Sequence, residues 1–185
     1  MRGYYALVIS LEKYQSRRIK ITKINPDLIS PCGLYCGVCA IYIAHRDHNQ
    51  KFKERLVNLY KGGVPGKGNL RNNSENLSIE DIKCRGCLSD EQFMYCRQCE
   101  IRACTRDKGY TGCHQCDEFP CQYIEDFPMT VGKKVILRAI PYWREVGTEK
   151  WIQDEEDRYI CPECGNKVFR GVVQCNQCRA KLDLD

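Results

Sequence analysis

The apolar positions along the chain predict a long helix in its first half. Mostly apolar side chains recur at steps of three and four residues from Val38 to Leu59, which is the pattern of an amphipathic helix. Gly62 and Gly63 follow this stripe, and glycine is common at helix C-termini. We therefore predict one helix that these glycines end. The stripe consists of Val38, Ile41, His45, His48, Phe52, Leu56 and Leu59.

A second helical pattern occupies residues 131–160. Pro141 is expected to break or kink it, because proline lacks the backbone N–H that a helix needs. Thr148 suits the N-cap of a helix over residues 149–158. The acidic run at residues 154–157 predicts a solvated helix face. Apolar contacts are expected from Val135, Leu137, Ile140, Trp143, Val146 and Trp151.

The other segments predict short elements and loops. Residues 1–23 contain one short β-like run, Tyr4–Ser10, and no cysteine, and we interpret them as an N-terminal extension. Residues 62–76 are rich in glycine and asparagine, which predicts a loop. Ser78 and Asp81 have the spacing of a capping box. Short helices are expected at Glu100–Lys108, closed by Gly109, and at Gln122–Phe127.

Fifteen cysteines dominate the chemistry that the sequence offers. Twelve of them form six Cys-x2-Cys pairs, and such a pair on a tight turn directs two sulfurs at one point. This spacing and the odd number of cysteines indicate metal sites and argue against a framework of disulfide bonds. The apolar run Ala6–Ile9 is too short for a secretory signal. We therefore expect a reducing compartment, the cytoplasm.

The last 25 residues have the pattern of a zinc ribbon that forms a separate unit. Two Cys-x2-Cys turns lie ten residues apart, and β-like runs at residues 167–170 and 172–174 connect them. Gly165 suits the tight turn under the first pair. Four thiolates at this spacing predict a tetrahedral zinc site. The four predicted ligands are Cys161, Cys164, Cys175 and Cys178.

The remaining eleven cysteines do not divide into sets of four. In one grouping, the cysteines of residues 84–99 form one site and those of residues 104–121 a second, which leaves the triplet of residues 32–39 short of a ligand. A histidine (His45, His48 or His114) or an exogenous group would complete that third site. Alternatively, the two tandem cysteine triplets, at residues 96–104 and 113–121, could each pair with a distant cysteine. The core ligands are Cys32, Cys36, Cys39, Cys84, Cys87, Cys96, Cys99, Cys104, Cys113, Cys116 and Cys121.

The sequence specifies the metal less well than its ligands. Thiolates bind both zinc and iron–sulfur clusters, and the core spacing matches neither common ferredoxin pattern. We expect zinc, with one ion in the ribbon and two or three in the core, and an iron–sulfur cluster in the core is the alternative. A site with three protein ligands keeps one position open, as catalytic zinc and reactive clusters do.

Charge and hydropathy narrow the function classes only slightly. The formal net charge is +5, but each four-thiolate site with a divalent ion adds two negative charges. The formal net positive charge is therefore weak support for nucleic-acid binding. No apolar stretch approaches the ~18–20 residues of a membrane span. The sequence shows no Ser-His-Asp catalytic order, no phosphate-binding glycine loop and no paired-carboxylate motif that stands out.

Four motifs in a fixed order resemble one known family. CGLYCGVC at residues 32–39, CRGC at 84–87, CRQCEIRAC at 96–104 and CHQCDEFPC at 113–121 are similar to the prokaryotic family catalogued as domain of unknown function 3795. The resemblance covers about residues 28–127 and includes all eleven core cysteines. It implies a small, cysteine-rich, metal-binding domain, and the family carries no established activity.

These patterns predict four segments: an N-terminal extension (1–23), a cysteine-rich metal-binding core (24–127), a helical arm (128–158) and a zinc ribbon (159–185). The predicted fold class is a small metal-stabilised α+β protein, with a mainly helical cysteine-rich core, irregular knuckles and a C-terminal β zinc ribbon. The predicted function is a non-enzymatic, zinc-binding module that contacts a protein or nucleic-acid partner. The alternative is an iron–sulfur redox protein or enzyme with an open metal site at the Cys-x3-Cys-x2-Cys motif.

Overall fold

The computed structural model describes residues 23–61 and 76–185, of which about half are helical. The predicted N-terminal extension, apart from its last residue, and nearly all of the predicted loop at 62–76 lie outside these ranges. Within them, no helix is both long and apolar enough to cross a membrane. The α-helices are α1 (Ala40–Arg46), α2 (Gln50–Lys61), α3 (Met94–Arg97), α4 (Glu100–Asp107), α5 (Gln122–Glu125), α6 (Thr130–Val146) and α7 (Thr148–Arg158).

The first predicted helix is in fact two helices, α1 and α2, with a turn between them. His48 has a φ of +49°, a left-handed conformation that interrupts a right-handed helix. The Asn49 side chain accepts a hydrogen bond from the Phe52 N–H at 3.0 Å, the contact with which an asparagine begins a new helix. The prediction of one continuous helix is therefore wrong at this turn.

Helix α6 passes through Pro141 without ending, so a break at this residue is wrong, and a kink there stays a prediction. The carbonyl of Leu137, four residues earlier, loses its N–H partner at the proline. Both residues are exposed, and water can take the place of that partner. The predicted N-cap is shifted by one residue: Gly147, with a φ of +79°, separates α6 from α7, and Thr148 is the first residue of α7.

The acidic run in α7 is not the solvated face that its composition predicts. Glu155 is 1% exposed and Glu156 is also buried. The Arg138 guanidinium on α6 donates two hydrogen bonds to Glu155, at 2.6 and 3.2 Å, and Lys167 pairs with Glu156. A buried carboxylate needs such partners. Because both cations are distant in sequence, the charge pattern of the run alone does not reveal them.

The predicted short elements are present. Helix α4 is followed by Gly109 at a φ of +69°, and α5 starts at Gln122 as expected. The Ser78 N–H donates to Asp81 Oδ2 at 2.8 Å, in the manner of a capping box. These local signals could be identified from sequence because each one involves residues within a few positions of each other.

Aromatic stacking joins α6 and α7. Trp143 and Trp151 are buried, as predicted, and their rings stack with centroids 4.1 Å apart. His114 stacks on the other face of Trp143 at 3.8 Å, and Tyr35 meets Trp151 edge-on at 5.9 Å. We call these four residues the aromatic column. It links the first cysteine motif, through Tyr35, to the turn that begins at Cys113, through His114.

Buried side chains form two clusters. The first cluster surrounds the aromatic column and includes Cys32, Cys113, Cys161 and Cys175. The second cluster fills the space between α1, α2 and residues 77–96, and it consists of Ile41, Ala44, Leu56, Val57, Leu77, Ile82, Cys84 and Phe93. Cysteines thus occupy positions that large apolar residues fill in an ordinary core.

The C-terminal segment packs against the core. The Arg170 N–H donates to the Val38 carbonyl at 3.0 Å, and its guanidinium donates to the Tyr35 carbonyl at 2.6 Å. Phe169 contacts the Phe52 ring, with centroids 5.0 Å apart. In the described residues, strand pairing is limited to two isolated bridges, Ile160–Lys167 and Gln174–Lys181.

Candidate metal centres

The four C-terminal cysteines converge on one point. Their sulfur atoms all lie within 4.8 Å of one another. Sγ of Cys161 is 3.6 Å from that of Cys178, and Sγ of Cys164 is 3.7 Å from that of Cys175. A tetrahedron with zinc–sulfur bonds of ~2.3 Å has sulfur–sulfur edges of about 3.8 Å. The geometry therefore suits a tetrahedral ion of this size.

Matching backbone turns hold the two sulfur pairs. The Gly165 N–H donates to the Cys161 carbonyl at 2.8 Å, and the Arg179 N–H donates to the Cys175 carbonyl at 3.1 Å. Both residues have a left-handed φ, +74° for Gly165 and +66° for Arg179. Glycine adopts this conformation freely, whereas arginine adopts it at a cost. The turn in the second pair was therefore less visible in the sequence.

Hydrogen bonds give unequal acidity to the thiols of these four cysteines, which we call the ribbon cysteines after the predicted zinc ribbon. The Cys178 N–H, and after it the Gln177 N–H, lowers the pKa of Cys175 to about 6. The pKa of Cys178 moves the other way, to about 12. A hydrogen bond from the Ala180 N–H lowers it, but desolvation and sulfur–sulfur hydrogen bonds outweigh that contribution. Cys175 is therefore a stronger acid than Cys178.

The core cysteines are less tightly assembled than the ribbon cysteines. In the described residues, which include all fifteen cysteines, the ribbon set is the one group of at least three His, Cys, Asp or Glu ligand atoms within 4.8 Å of each other. All fifteen cysteines are free thiols. The core sulfurs nevertheless lie close enough to affect one another electrostatically. By these effects and by packing they fall into three groups, which we call neighbourhoods.

The first neighbourhood combines Cys36 and Cys39 with Cys84 and Cys96. Cys84 belongs to the second cluster, and Cys39 and Cys96 pack against it. Burial raises the pKa of Cys96, and repulsion from Cys39 is the next largest cause. Burial and repulsion from Cys87, Cys39 and Cys84 raise the pKa of Cys36.

The second neighbourhood contains the cysteines of residues 104–121. The Lys108 ammonium lies 3.9 Å from Cys116 Sγ and pairs with Glu118 at 2.8 Å. Cys104 lies on α4 and Cys121 directly precedes α5, and these two helices contact each other. Burial, repulsion from Cys32 and then repulsion from Cys121, Cys116 and Cys104 raise the pKa of Cys113 to about 12.

The third neighbourhood lies around Cys32. The Ser30 hydroxyl is 3.0 Å from Cys32 Sγ, and both residues are buried. Burial and then repulsion from Cys32 and Cys99 raise the pKa of Cys87 to about 12. Cys32 therefore lies within electrostatic range of Cys87 and Cys99, which come from two other motifs.

None of the three candidate histidines joins a group of three or more ligand atoms in the described residues. His45 Nε2 lies 3.4 Å from Glu91 Oε2, and burial lowers its pKa. His48 occupies the turn between α1 and α2. His114 stacks on Trp143, and burial lowers its pKa as well. His45 thus makes an ion-pair contact and His114 a packing contact, whereas His48 lies at an exposed turn.

Sequence reasoning missed several polar residues that contact the cysteines. Lys108 follows Cys104 by four residues, a helical spacing that could have been recognised. Ser30 and Arg102 gave no such signal, because their contacts with Cys32 and with the Cys87 carbonyl depend on the folded chain.

Comparison with known proteins identifies one relationship. A family model described as "Protein of unknown function (DUF3795)" matches residues 28–126, the segment that holds all eleven core cysteines. No curated protein and no solved structure matches the chain significantly. The match covers more than half of the chain, and the protein therefore belongs to this family of unknown function.

Proposed function

We propose that this protein is a zinc-binding, non-enzymatic module that contacts a protein or nucleic-acid partner in the cytoplasm. Its C-terminal cysteines bind one structural zinc in a ribbon, and its core cysteines bind two or three further ions. The observation that carries the proposal is the convergence of the four C-terminal sulfurs within 4.8 Å.

The composition of the C-terminal set supports a structural role. Four cysteine ligands complete a tetrahedral shell, so no position remains at which a substrate could bind. Cys161 and Cys175 are 0% exposed and belong to the first cluster. An ion bound there therefore connects the ribbon to the core. The partner-binding role rests on analogy with other ribbons, which often present surfaces to proteins or nucleic acids.

The number of core cysteines favours a second candidate function. Two complete four-cysteine sites use eight of the eleven and leave three. A site with three protein ligands has an open position, as in catalytic zinc sites and reactive iron–sulfur clusters. The second candidate is therefore an iron–sulfur redox protein or enzyme that uses the incomplete core site.

Metal analysis of anaerobically purified protein separates the two candidates. We expect zinc without acid-labile sulfide, and we expect Cys164→Ser to lose one equivalent of zinc. Glu163→Ser is the matched control, because it changes an exposed neighbour in the same turn and should retain all of the metal. Iron with stoichiometric labile sulfide would favour the redox candidate. An unchanged zinc content in Cys164→Ser would overturn the ribbon site.

A further inference from the structure

We propose that Arg170, in the C-terminal segment, is a positioning residue for a metal ion bound by the core pair Cys36 and Cys39. It orients the turn that carries both sulfurs, and its Nε–H donates a hydrogen bond to one of the metal-bound thiolates. This inference rests on the proposed function, because it assumes that the core cysteines bind a divalent ion such as zinc. It does not depend on which other cysteines complete the set of ligands.

Arg170 binds the backbone directly before each of the two cysteines. Its N–H donates to the Val38 carbonyl at 3.0 Å, and its guanidinium donates to the Tyr35 carbonyl at 2.6 Å. A peptide unit is planar, so each of these bonds fixes the orientation of the peptide that leads into a cysteine. The Cys39 N–H closes the turn on the Cys36 carbonyl at 3.0 Å. A turn of this spacing directs two sulfurs at one ion, and Arg170 therefore holds the turn at both of its ends.

Helix α7 closes the opposite side of the same turn. A side chain at Gly37 would collide with the Tyr35 ring and with Glu156 Oε1. Lys167, three residues before Arg170, pairs with the same glutamate. The turn thus lies between α7 and the C-terminal segment, which leaves little freedom for either sulfur-bearing residue.

The neighbours of Arg170 hold it in place by contacts that do not involve cysteine. The Phe169 ring packs on that of Phe52 in α2, with centroids 5.0 Å apart. The Gly171 N–H donates to Asp185 Oδ2 at 2.7 Å. A group that orients a metal ligand is most effective when its own position is fixed in this way.

One donor of the Arg170 guanidinium has no acceptor. Its Nε is buried, and among the described residues it has no hydrogen-bond partner. The two buried carboxylates of α7 pair with Arg138 and Lys167 instead. A buried N–H without an acceptor and a buried cation without an anion are both unfavourable. A metal-bound thiolate at the adjacent turn satisfies both needs.

The charge of Arg170 acts on the cysteines of the first motif. Burial lowers the pKa of Arg170, but the negative charge of nearby groups, with Cys39 the largest contribution, outweighs burial and raises this pKa overall. Among the smaller effects on Cys32, Arg170 lowers the pKa that burial raises. Hydrogen bonds between a cation and an anionic sulfur are stronger than those between neutral groups.

Cobalt titration of side-chain variants tests the positioning role. The cobalt equivalent that Cys39→Ser loses identifies the core site. Arg170→Met should weaken binding of that equivalent by roughly 10- to 100-fold, the usual effect of removing a group that supports a ligand. Lys181→Met is the matched control, because it removes an exposed cation of the same C-terminal segment and should leave the affinity unchanged. Equal affinities in the two methionine variants would overturn the role of Arg170.

The charge-transfer band of the bound cobalt separates positioning from a general effect on folding. A hydrogen bond lowers the energy of the sulfur electrons, so its loss in Arg170→Met should move the sulfur-to-cobalt band to longer wavelength. The difference spectrum between each variant and the same variant with Cys39→Ser isolates this site. Arg170→Lys keeps the charge without the Nε–H, and it should recover part of the affinity and leave the band shifted. A band at the wild-type wavelength in both Arg170 variants would overturn the hydrogen bond to sulfur.

The wild-type titration distinguishes the two levels of failure. Binding of a single equivalent, lost in Cys164→Ser, would overturn core metal binding and with it the proposed function of the core. Binding of the core equivalents with the same affinity in wild type and Arg170→Met would overturn the role of Arg170 alone. Circular dichroism of each variant, recorded with cobalt bound, shows whether a loss reflects the site or unfolding. Arg170→Lys provides the test if Arg170→Met does not fold.

Discussion

The acidity of Cys175 distinguishes it from two buried core thiols, Cys87 and Cys113. Burial, followed by repulsion between sulfurs, raises the pKa of Cys87 and of Cys113 to about 12, whereas N–H donation lowers the pKa of Cys175 to about 6. At neutral pH the buried core thiols hold their protons, and a metal must displace them. An ion that binds the four C-terminal cysteines meets one thiol, Cys175, whose proton is easier to displace.

We expect the core ions to leave before the ribbon ion when the pH is lowered from about 8 to about 5. Metal binding uses thiolates, so its contribution to stability is present at high pH and is lost as the pH falls. Without metal the sign is reversed: a folded-state pKa raised from 9.0 to about 12 contributes stability below pH 9.0 that is lost as the pH rises towards 12.

Dialysis at stepped pH with a chromophoric chelator measures this order. Cys164→Ser, which lacks the ribbon ion, should show the same early release as the wild type and should lack only the release at lowest pH. A variant profile that lacks the early release instead would contradict the expected order.

Local signals predicted several elements well, and contacts between elements explain where the sequence failed. The capping pair Ser78–Asp81 and the glycine after α4 could be identified because their partners are near in sequence. The burial of Glu155 could not, because its partner Arg138 is 17 residues away on another helix. The grouping of the core cysteines could not be predicted for the same reason. The two cysteines of one sequence pair, such as Cys84 and Cys87, have different surroundings in the folded chain.

The pairing of α6 with α7 depends on the buried ion pair between Arg138 and Glu155. We expect Arg138→Met to lower the free energy of unfolding by about 3 kcal/mol, because removing one partner leaves a buried charge. Arg158 can compensate only weakly, since its Nε lies 4.0 Å from Glu155. Urea unfolding of the metal-loaded protein measures the change.

Two further variants make the Arg138→Met result interpretable. Lys150→Met removes the cation of an exposed pair with Asp154 on α7 and should cost less than about 1 kcal/mol. Arg138→Met combined with Glu155→Leu should recover much of the loss, because no buried charge remains. Equal effects of Arg138→Met and Lys150→Met would show that the buried pair has no special role.

Across the whole molecule, cysteines take up part of the space that an apolar core would fill. Cys32, Cys113, Cys161 and Cys175 belong to the first cluster, and Cys84 belongs to the second. In small metal-binding domains, the free energy of metal binding is also free energy of folding. The helices of this protein are therefore expected to depend on its metals.

We expect a strong chelator to unfold the protein, with loss of the helical circular dichroism and of the near-ultraviolet band from the stacked indoles of Trp143 and Trp151. Re-addition of zinc under reducing conditions should restore both signals. Cys164→Ser, tested in parallel, shows how much of the effect the ribbon ion causes. Native circular dichroism and an unchanged melting temperature after chelation would contradict a structural role for the metals.

The hydrogen bond from Arg170 to the Tyr35 carbonyl spans 135 residues, and this separation has a consequence for synthesis. At 5–20 residues per second, a ribosome needs roughly 7 to 27 s to make that length of chain. During this interval the first cysteine motif exists without the segment that covers it, and its thiols are open to oxidation. We therefore expect the yield of folded protein to depend on reducing conditions during synthesis.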